Sequence, residues 1–184
     1  GAGALALSGA VAYVEDRQSD FQAETAAALK INPHYSDAYR VAADQAASNY
    51  RFEEAVALNR QALTVDPDDV RIHTALGVQL LRTGDEAEAR DHLELAFKAD
   101  PRDPTLKNLL VMLDGLDKFD VLRQGDIIVK LDAKEAPVMR EFVGPLAARA
   151  LAQYAAKYQF TPKGPILIEM FPRHDDFAAI APAW

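Results

Sequence analysis

Three short segments recur at a constant interval and constrain the fold of this chain more than any other feature. Ile31-Asn32-Pro33, Val65-Asp66-Pro67 and Ala99-Asp100-Pro101 place their prolines at positions 33, 67 and 101, so the same interval occurs twice. Each segment ends a similar apolar run that begins with an alanine. This agreement indicates an internal repeat, and repeats with a period of about 34 residues stack side by side to bury their apolar faces.

The copy from Val70 to Pro101 shows the pattern of two antiparallel helices most clearly. It resembles the tetratricopeptide repeat (TPR) through small and large apolar residues at fixed positions and a turn between two helices: Leu76-Gly77, Leu80, Thr83-Gly84-Asp85, Ala89, Leu93 and Ala96. Small residues allow two helix backbones to approach, and the leucines fill the space around them.

Two earlier copies are weaker. The copy from Ser36 to Pro67 has Tyr39 at the bulky aromatic position and Ala42-Ala43 in place of Leu-Gly, with small residues at Ala55 and Ala62. In the N-terminal copy Leu5, Gly9 and Ala28 fit, but Phe21 stands where the family has a small residue. We therefore expect its first helix to pack differently or to fray. The copies lie at about 2–35, 36–69 and 70–103.

Helix caps mark the boundaries of these segments. Asp85 with Glu88 forms a capping-box pattern, and Asp103-Pro104 supplies an N-cap followed by a proline at the first helical position. Leucines at helical spacing then predict one further helix up to Leu116. We interpret 104–117 as a capping helix that ends a TPR array over residues 1–117.

The TPR resemblance implies that a protein or peptide partner binds a concave surface lined by the first helix of each repeat. The inward positions are Asp37, Arg40, Asp44, Ala47 and Ser48, then Arg71, Thr74, Val78, Leu81 and Arg82. Arginines there match the geometry of partner carboxylates. The simpler alternative is that these charges are only solvated. The residues with which related domains clamp a chaperone tail are not matched.

Composition excludes several classes of function. The chain has 20 Lys and Arg against 28 Asp and Glu, a net charge of −8, which argues against nucleic-acid binding. There is no cysteine, so thiolate metal sites and Cys nucleophiles are excluded. The longest apolar run, Gly1 to Val14, is too short to cross a bilayer of about 30 Å, and we predict no membrane span but a buried helix.

The pattern changes after residue 117. Phe119–Arg123 and Ile127–Leu131 alternate around Gln124-Gly125-Asp126, which predicts a β-hairpin. Asp132 with Glu135 opens a helix to about Tyr158, which Gly144-Pro145 should kink or divide. A strand at 165–171 follows, and His174-Asp175-Asp176-Phe177 indicates a helix start. The fold is therefore mostly α, with a small incomplete α+β segment (β-β-α-β) at 118–184.

Residues 125–132, 158–162 and 164–177 resemble the start of peptidase-MA-like domains, zinc metallopeptidases of the gluzincin type that often follow TPR arrays. Enzymes of this type bind zinc through His-Glu-x-x-His on one helix. None of His34, His73, His92 and His174 begins that motif. We expect no catalytic residue, metal ligand or cofactor in this chain, and zinc only in a longer parent protein.

Several residues have both an ordinary and a functional interpretation. We expect His73 to pack inside a TPR helix, His174-Asp175-Asp176 to be acids that complement a helix dipole, and Glu169 to be the polar side of a strand. Tyr50, Tyr154 and Tyr158 are interpreted as core or interface residues.

Three hypotheses follow for function. The first is a non-catalytic interaction scaffold, the second is the N-terminal portion of a zinc peptidase, and the third is self-assembly. Because the sheet of the C-terminal segment is incomplete, the strand at Ile166 to Met170 should lack a neighbour, and its exposed edge predicts a homodimer.

Overall fold

The structure is a computed structural model that describes residues 1–162 and 164–173. Over these residues it is mostly helical, with one small sheet, as the sequence predicts. Its elements, in chain order, are α1 (Ala2–Val14), α2 (Gln18–Ile31), α3 (Asp37–Ser48), α4 (Phe52–Val65), α5 (Val70–Thr83), α6 (Glu86–Ala99), α7 (Pro104–Leu116), β1 (Phe119–Gln124), β2 (Ile127–Asp132), α8 (Ala136–Tyr158) and β3 (Ile166–Met170).

The first six helices form three hairpins in which α1 packs on α2, α3 on α4 and α5 on α6. Alanines at the equivalent position of each copy, Ala28, Ala62 and Ala96, are fully buried in these hairpins. Small side chains at these points let the paired helices approach closely. The repeated helical hairpins are therefore confirmed.

The N-terminal hairpin is complete, so the expectation that its first helix might fray is wrong, although its packing does differ. Phe21 is buried, and its ring meets those of Tyr13 and Tyr39 edge-on, with centroids 5.3 and 6.3 Å away. Gly9 lies beside Phe21, so the missing side chain makes room for the larger ring. The expectation of a buried helix is also wrong in part, because Leu7 and Val11 of α1 are exposed.

The predicted caps are present. The Asp85 carboxylate accepts a hydrogen bond from the backbone N–H of Glu88, and that of Asp103 accepts from Thr105 and Leu106. The Glu88 side chain does not complete the capping box. It binds Arg60 of α4 instead, at 2.5 and 3.1 Å, and so links the second hairpin to the third.

The described structure divides into two compact units, the first ending at Leu110 and the second beginning at Val111. Helix α7 contains this boundary. Its leucines are buried on both sides of it, with Leu106, Leu109 and Leu113 each 1% exposed.

The second unit contains a mixed three-stranded sheet in the order β1-β2-β3. Strands β1 and β2 pair antiparallel, with Gln124 opposite Ile127, around a two-residue turn whose Gly125 has a φ of 57°. Glycine adopts this left-handed conformation without steric cost. Strand β3 pairs parallel with β2, so the expectation that it lacks a neighbour is wrong.

Helix α8 packs on β2 and β1 over a core that includes Ile127, Val129 and Leu131. It begins at Ala136 and not at Asp132, because Asp132 ends β2. Pro145 lies inside α8 and does not divide it. A Cβ atom on Gly144 would overlap the side-chain carbonyl of Gln124, so glycine allows the helix to approach β1. The helix start predicted at 174–177 lies outside the described residues.

Candidate functional site

Four of the predicted groove residues come together in one network of ion pairs. The Arg40 guanidinium lies 2.6 Å from both the Asp37 and the Asp44 carboxylates, and Arg71 lies 3.4 Å from Asp37. Asp37 begins α3, and Arg40 and Asp44 follow at helical spacing, so all three side chains lie on one face of that helix.

This network changes the role that we expected for the arginines. Both guanidinium groups are already paired within the chain, and Asp69 binds Arg71 at 2.7 Å. Burial raises the pKa of Asp44, and Arg40 lowers it in part. Three carboxylates surround two guanidinium groups, so this surface is acidic. Both guanidinium groups are occupied by carboxylates of this chain, so they are not available to bind the carboxylates of a partner.

The remaining predicted groove residues lie outside the network. Thr74 donates a hydrogen bond to the Val70 carbonyl at 3.0 Å, within its own helix. Val78 is half-buried. The Arg82 guanidinium lies 5.0 Å from the centre of the Phe52 ring, and burial lowers the pKa of Arg82. Of these three side chains, Arg82 packs against α4 through the Phe52 ring.

The sequence analysis missed Ser36 and Asp69, which join the starts of α3 and α5. Asp69 is the N-cap of α5 and accepts hydrogen bonds from the Arg71 backbone at 3.0 Å and from the Ser36 hydroxyl at 2.8 Å. Burial would raise the pKa of Asp69, but the bonds from Arg71 and Ser36 together outweigh it and lower the pKa to about 2. An Asp directly before an apolar helix is the available signal.

An apolar groove between α1 and α3 is the second feature that the sequence analysis missed. This α1–α3 groove has a volume of about 330 Å³ and is lined by Leu7, Ala10, Val11, Val14, Glu15, Val41 and Gln45. Leu7 is 61% exposed and Val11 is 55% exposed. The spacing of Leu7, Val11 and Val14 at i, i+4 and i+7 was the available signal, because it places three apolar side chains on one helix face.

His73 and His92 face each other across the third hairpin. Their Nδ1 atoms are 2.8 Å apart, and the Nε2 atom of His73 lies 2.8 Å from the Pro67 carbonyl oxygen. The Nε2 atom of His92 lies 3.7 Å from a Glu88 carboxylate oxygen. Burial lowers the pKa of His92, and the neighbouring His73 lowers it further. His73 therefore packs within the third hairpin, as expected, and also forms hydrogen bonds there.

Glu169 on β3 stands opposite Lys130 on β2, with 3.6 Å between the carboxylate and the ammonium nitrogen. Burial raises the pKa of Glu169, and Lys130 lowers it in part. The Glu169 side chain is mostly buried, and Lys130 is its charged partner on the neighbouring strand.

Catalytic zinc needs three protein ligands around one position. Among residues 1–162 and 164–173, no three His, Asp or Glu side chains are placed to hold a metal ion. These residues therefore do not fit the zinc centre of a gluzincin peptidase. In the same part of the chain, no helix is both long and apolar enough to cross a membrane.

Residues 46–113 match the family model of the tetratricopeptide repeat. The match includes α4, α5 and α6, so TPRs are confirmed for the middle of the chain. No curated protein matches the sequence.

Two solved structures are similar over part of their length. A point mutant of the Thermobaculum terrenum O-GlcNAc transferase is 20% identical, with a TM-score of 0.45, over 62% of this chain and 22% of that chain. The structure of Naa15/Naa10 bound to HypK-THB is also 20% identical, with a TM-score of 0.42, over 86% of this chain and 20% of that chain. This chain thus spans about a fifth of each.

Proposed function

We propose that this chain is a non-catalytic protein-interaction scaffold and that the α1–α3 groove holds an amphipathic, basic peptide segment of the partner. The single observation that carries the proposal is the groove itself, an open apolar channel between the first helices of two neighbouring repeats. TPR arrays use such first helices to bind proteins, which gives the groove its context.

The apolar residues that line the α1–α3 groove support the first part of the proposal, that the partner segment inserts apolar side chains. Leu7, Val11 and Val14 form a continuous exposed stripe along α1, and Val41 of α3 faces it. Contiguous apolar surface of this kind marks interaction sites, since it is costly to leave in water. A partner segment with apolar side chains at i, i+3 or i+4 would fill the groove in the manner of a helix-in-groove complex.

Acidic residues at the edge of the α1–α3 groove support the second part of the proposal, that the partner segment is basic. On α3, Val41 is flanked by Asp37 and Asp44, one turn before and one turn after it, and Glu15 lies at the end of α1. Residues 1–117 carry 20 Asp and Glu against 11 Lys and Arg, a net charge of −9. Lysines or arginines on the partner would therefore speed association, and acidic residues would oppose it.

A peptide-display library panned against the full chain tests this proposal, followed by titration of the enriched peptides. We expect peptides that combine Leu, Ile, Val or Phe anchors with Lys or Arg, and weaker binding at higher salt. Val11→Asp should abolish binding. Leu95→Asp is the matched control, because Leu95 is a similarly exposed apolar residue on α6. Peptides that bind both variants equally would refute the groove as the site.

A second proposal concerns the segment after residue 117 and treats the chain as the N-terminal portion of a TPR-containing zinc metallopeptidase. What supports it is the order β-β-α-β, with a long helix that connects two parallel strands, in the segment whose sequence resembles peptidase-MA-like domains. Reading the coding sequence downstream of Trp184 tests the proposal. His-Glu-x-x-His there would favour it, and a stop codon or unrelated sequence would refute it.

A third proposal is a homodimer through the second unit. Over the described residues β3 is the last strand of the sheet, with one side unpaired by any strand. Val138, Phe142 and Leu146 also form an exposed apolar stripe on α8. Light scattering over a wide concentration range tests this proposal. A monomer at every concentration would refute it, and Phe142→Asp should dissociate a dimer that uses the α8 stripe.

A further inference from the structure

The turn between the two helices of each hairpin contains a residue in the left-handed region of the backbone. These residues are Asp16, Tyr50 and Gly84, with φ of 57°, 61° and 88°, and they lie one repeat interval apart. Glycine adopts this conformation freely and aspartate tolerates it, whereas a bulky side chain does so at a cost. Tyr50 therefore occupies a position whose backbone disfavours tyrosine.

The surroundings of Tyr50 within the chain do little to offset this cost. Its side chain is 63% exposed, so most of the ring stays in water. The ring meets that of Phe52 edge-on, with centroids 5.8 Å apart. Residues that keep a strained backbone conformation cluster at sites of function, and tyrosine is among the side chains that contribute most to protein interfaces. We therefore examined Tyr50 as a contact for a partner.

An arginine lies beside these two rings. The Arg82 guanidinium is 5.0 Å from the centre of the Phe52 ring and donates a hydrogen bond to the Gln79 side-chain carbonyl at 3.3 Å. Arg51 and Arg71 are each paired with a carboxylate. Over the part of the chain that the structure describes, no carboxylate pairs with Arg82. Its charge is thus not neutralised by an acidic side chain there.

These three side chains, which we call the Tyr50 platform, come from neighbouring elements of the second and third hairpins. Tyr50 lies in the turn before α4, Phe52 begins α4, and Arg82 lies in the last turn of α5. We propose that the Tyr50 platform binds an acidic partner segment in which an aromatic residue adjoins Asp or Glu. The two rings would pack against the partner's ring, and the guanidinium would hold the carboxylate.

Charge complementarity selects this partner. Arg82 is half-buried, and a guanidinium is weakly hydrated, so that it pairs with a partner carboxylate at a lower cost of desolvation than an ammonium group. A basic segment, which we propose for the α1–α3 groove, would meet Arg82 with like charge. None of the three residues of the Tyr50 platform lines that groove. The two surfaces therefore call for partner segments of opposite charge.

Titration of the full chain with short capped peptides, followed by NMR of the backbone amides, tests the proposal. The probe is Gly-Ser-Trp-Glu-Glu-Gly. Gly-Ser-Trp-Gln-Gln-Gly lacks its charges, and Gly-Ser-Ala-Glu-Glu-Gly lacks its ring. We expect the probe to bind about 10-fold more tightly than either, with shifts centred on the Tyr50 platform. Added salt should reduce its preference over the Gln peptide. Equal affinity for the three peptides, or no binding of the probe, would overturn the proposal.

The repeat itself supplies a variant that removes the tyrosine and preserves the turn. Tyr50→Gly reproduces the residue at Gly84 and relieves the strain of the left-handed conformation. We expect a melting temperature equal to or above that of the unchanged chain, and about 10-fold weaker binding of the probe. A lower melting temperature would show that Tyr50 serves the fold, and unchanged affinity would show that its ring is not in the site. Either result would overturn the proposal.

Two further variants separate the charge from the backbone. Arg82→Gln removes the guanidinium, so it should bind the Glu and Gln peptides equally. Asp16→Gly is the matched control, because it makes the same backbone change in the first hairpin, and it should bind the probe as the unchanged chain does. A retained preference for Glu in Arg82→Gln, or lost binding in Asp16→Gly, would overturn the proposal. Val11→Asp should leave probe binding intact, so failure of the Tyr50 platform and failure of the α1–α3 groove are distinguishable.

Discussion

The second and third hairpins share one period and one order of helices but are held together by different side chains. In the third hairpin Leu76, Leu80 and Leu93 are at most 2% exposed around Gly77. The second hairpin has Ala42, Ala46 and Asn59 at the sites of these three leucines, and they are just as buried. The same hairpin is thus built once from leucines and once from small or polar residues.

This difference shows which helix contacts the second and third hairpins share and which contacts differ between them. Both hairpins pack their own two helices, but α3 also packs closely on α1, whereas α5 packs closely on α4. The alanines of α3 let α1 approach, and the leucines of α5 present a broader face to α4. The second and third hairpins therefore share the packing of their own two helices, but differ in the neighbour on which the first helix packs closely.

The largest effect should come from removing the central leucine of the third hairpin. Leu93→Ala deletes a fully buried side chain, and we expect a loss of about 3 kcal/mol in the free energy of unfolding. The matched change in the second hairpin, Asn59→Ala, should cost less than about 1 kcal/mol, because it also removes a poorly satisfied amide. Urea denaturation measures both. Equal losses in the free energy of unfolding would show that Leu93 and Asn59 contribute equally to the stability of their hairpins.

A smaller loss should follow from filling the space beside Gly77. An added Cβ atom would lie 2.6 Å from Leu93 Cγ and 3.2 Å from the Ala89 carbonyl oxygen. We expect Gly77→Ala to cost about 2 kcal/mol despite its better helix propensity, because the core is already full. In a Leu93→Ala background the same change should cost less, since the overlap with the Leu93 side chain is gone and only the contact with the Ala89 carbonyl oxygen remains. Additive losses in the double variant would contradict this.

A gain in stability should follow from giving the second hairpin the apolar residue of the third. Asn59 is 1% exposed, and its Oδ1 atom has no hydrogen-bond partner among the described residues. Asn59→Leu removes that buried polar atom, but it sets a leucine against the Cβ atom of Ala43, the combination that we expect to be costly at Gly77. Together with Ala43→Gly, which reproduces the space at Gly77, it should raise the free energy of unfolding by about 1 kcal/mol. Destabilisation of both variants would refute the equivalence of the two positions.

The parts of the fold that depend on local pattern could be predicted from the sequence. The spacing of the prolines indicated the three hairpins, Asp103-Pro104 indicated the start of α7, and the Gly125 turn indicated the β-hairpin. In each case a few neighbouring residues decide the structure. The continuity of α8 through Pro145 was not predictable in this way, because it depends on packing against strands that lie far away in sequence.

The candidate sites could be predicted less well, since they depend on which helices become neighbours. The charged groove positions were identified, but the pairing of Arg40 and Arg71 with carboxylates was not, because it needs the side-chain positions. Nothing in the sequence placed His73 opposite His92, which lies on a different helix. Exposure of Leu7 and Val11 was missed because an apolar run at this spacing is typical of both buried and exposed helices.

The junction between the two hairpins compared above provides the last test, and it is polar. Asp69 caps α5 and binds Ser36 at the start of α3, and its pKa is lowered to about 2. A carboxyl with a lowered pKa adds stability above its unfolded pKa of about 3.9, and this stability is lost as pH falls toward the folded value.

Asp69→Asn keeps the capping oxygen and removes the charge, so it isolates this contribution. We expect a loss of about 1 kcal/mol at pH 7, less than the full pKa displacement would give, because solvent screens the exposed Arg71 partner. The difference between the variant and the unchanged chain should shrink as pH falls from about 4 to about 2. Asp68→Asn is the matched control, since Asp68 is the exposed neighbour of Asp69. A difference for Asp69→Asn that is constant between pH 7 and pH 2 would mean that the junction does not depend on this carboxylate charge.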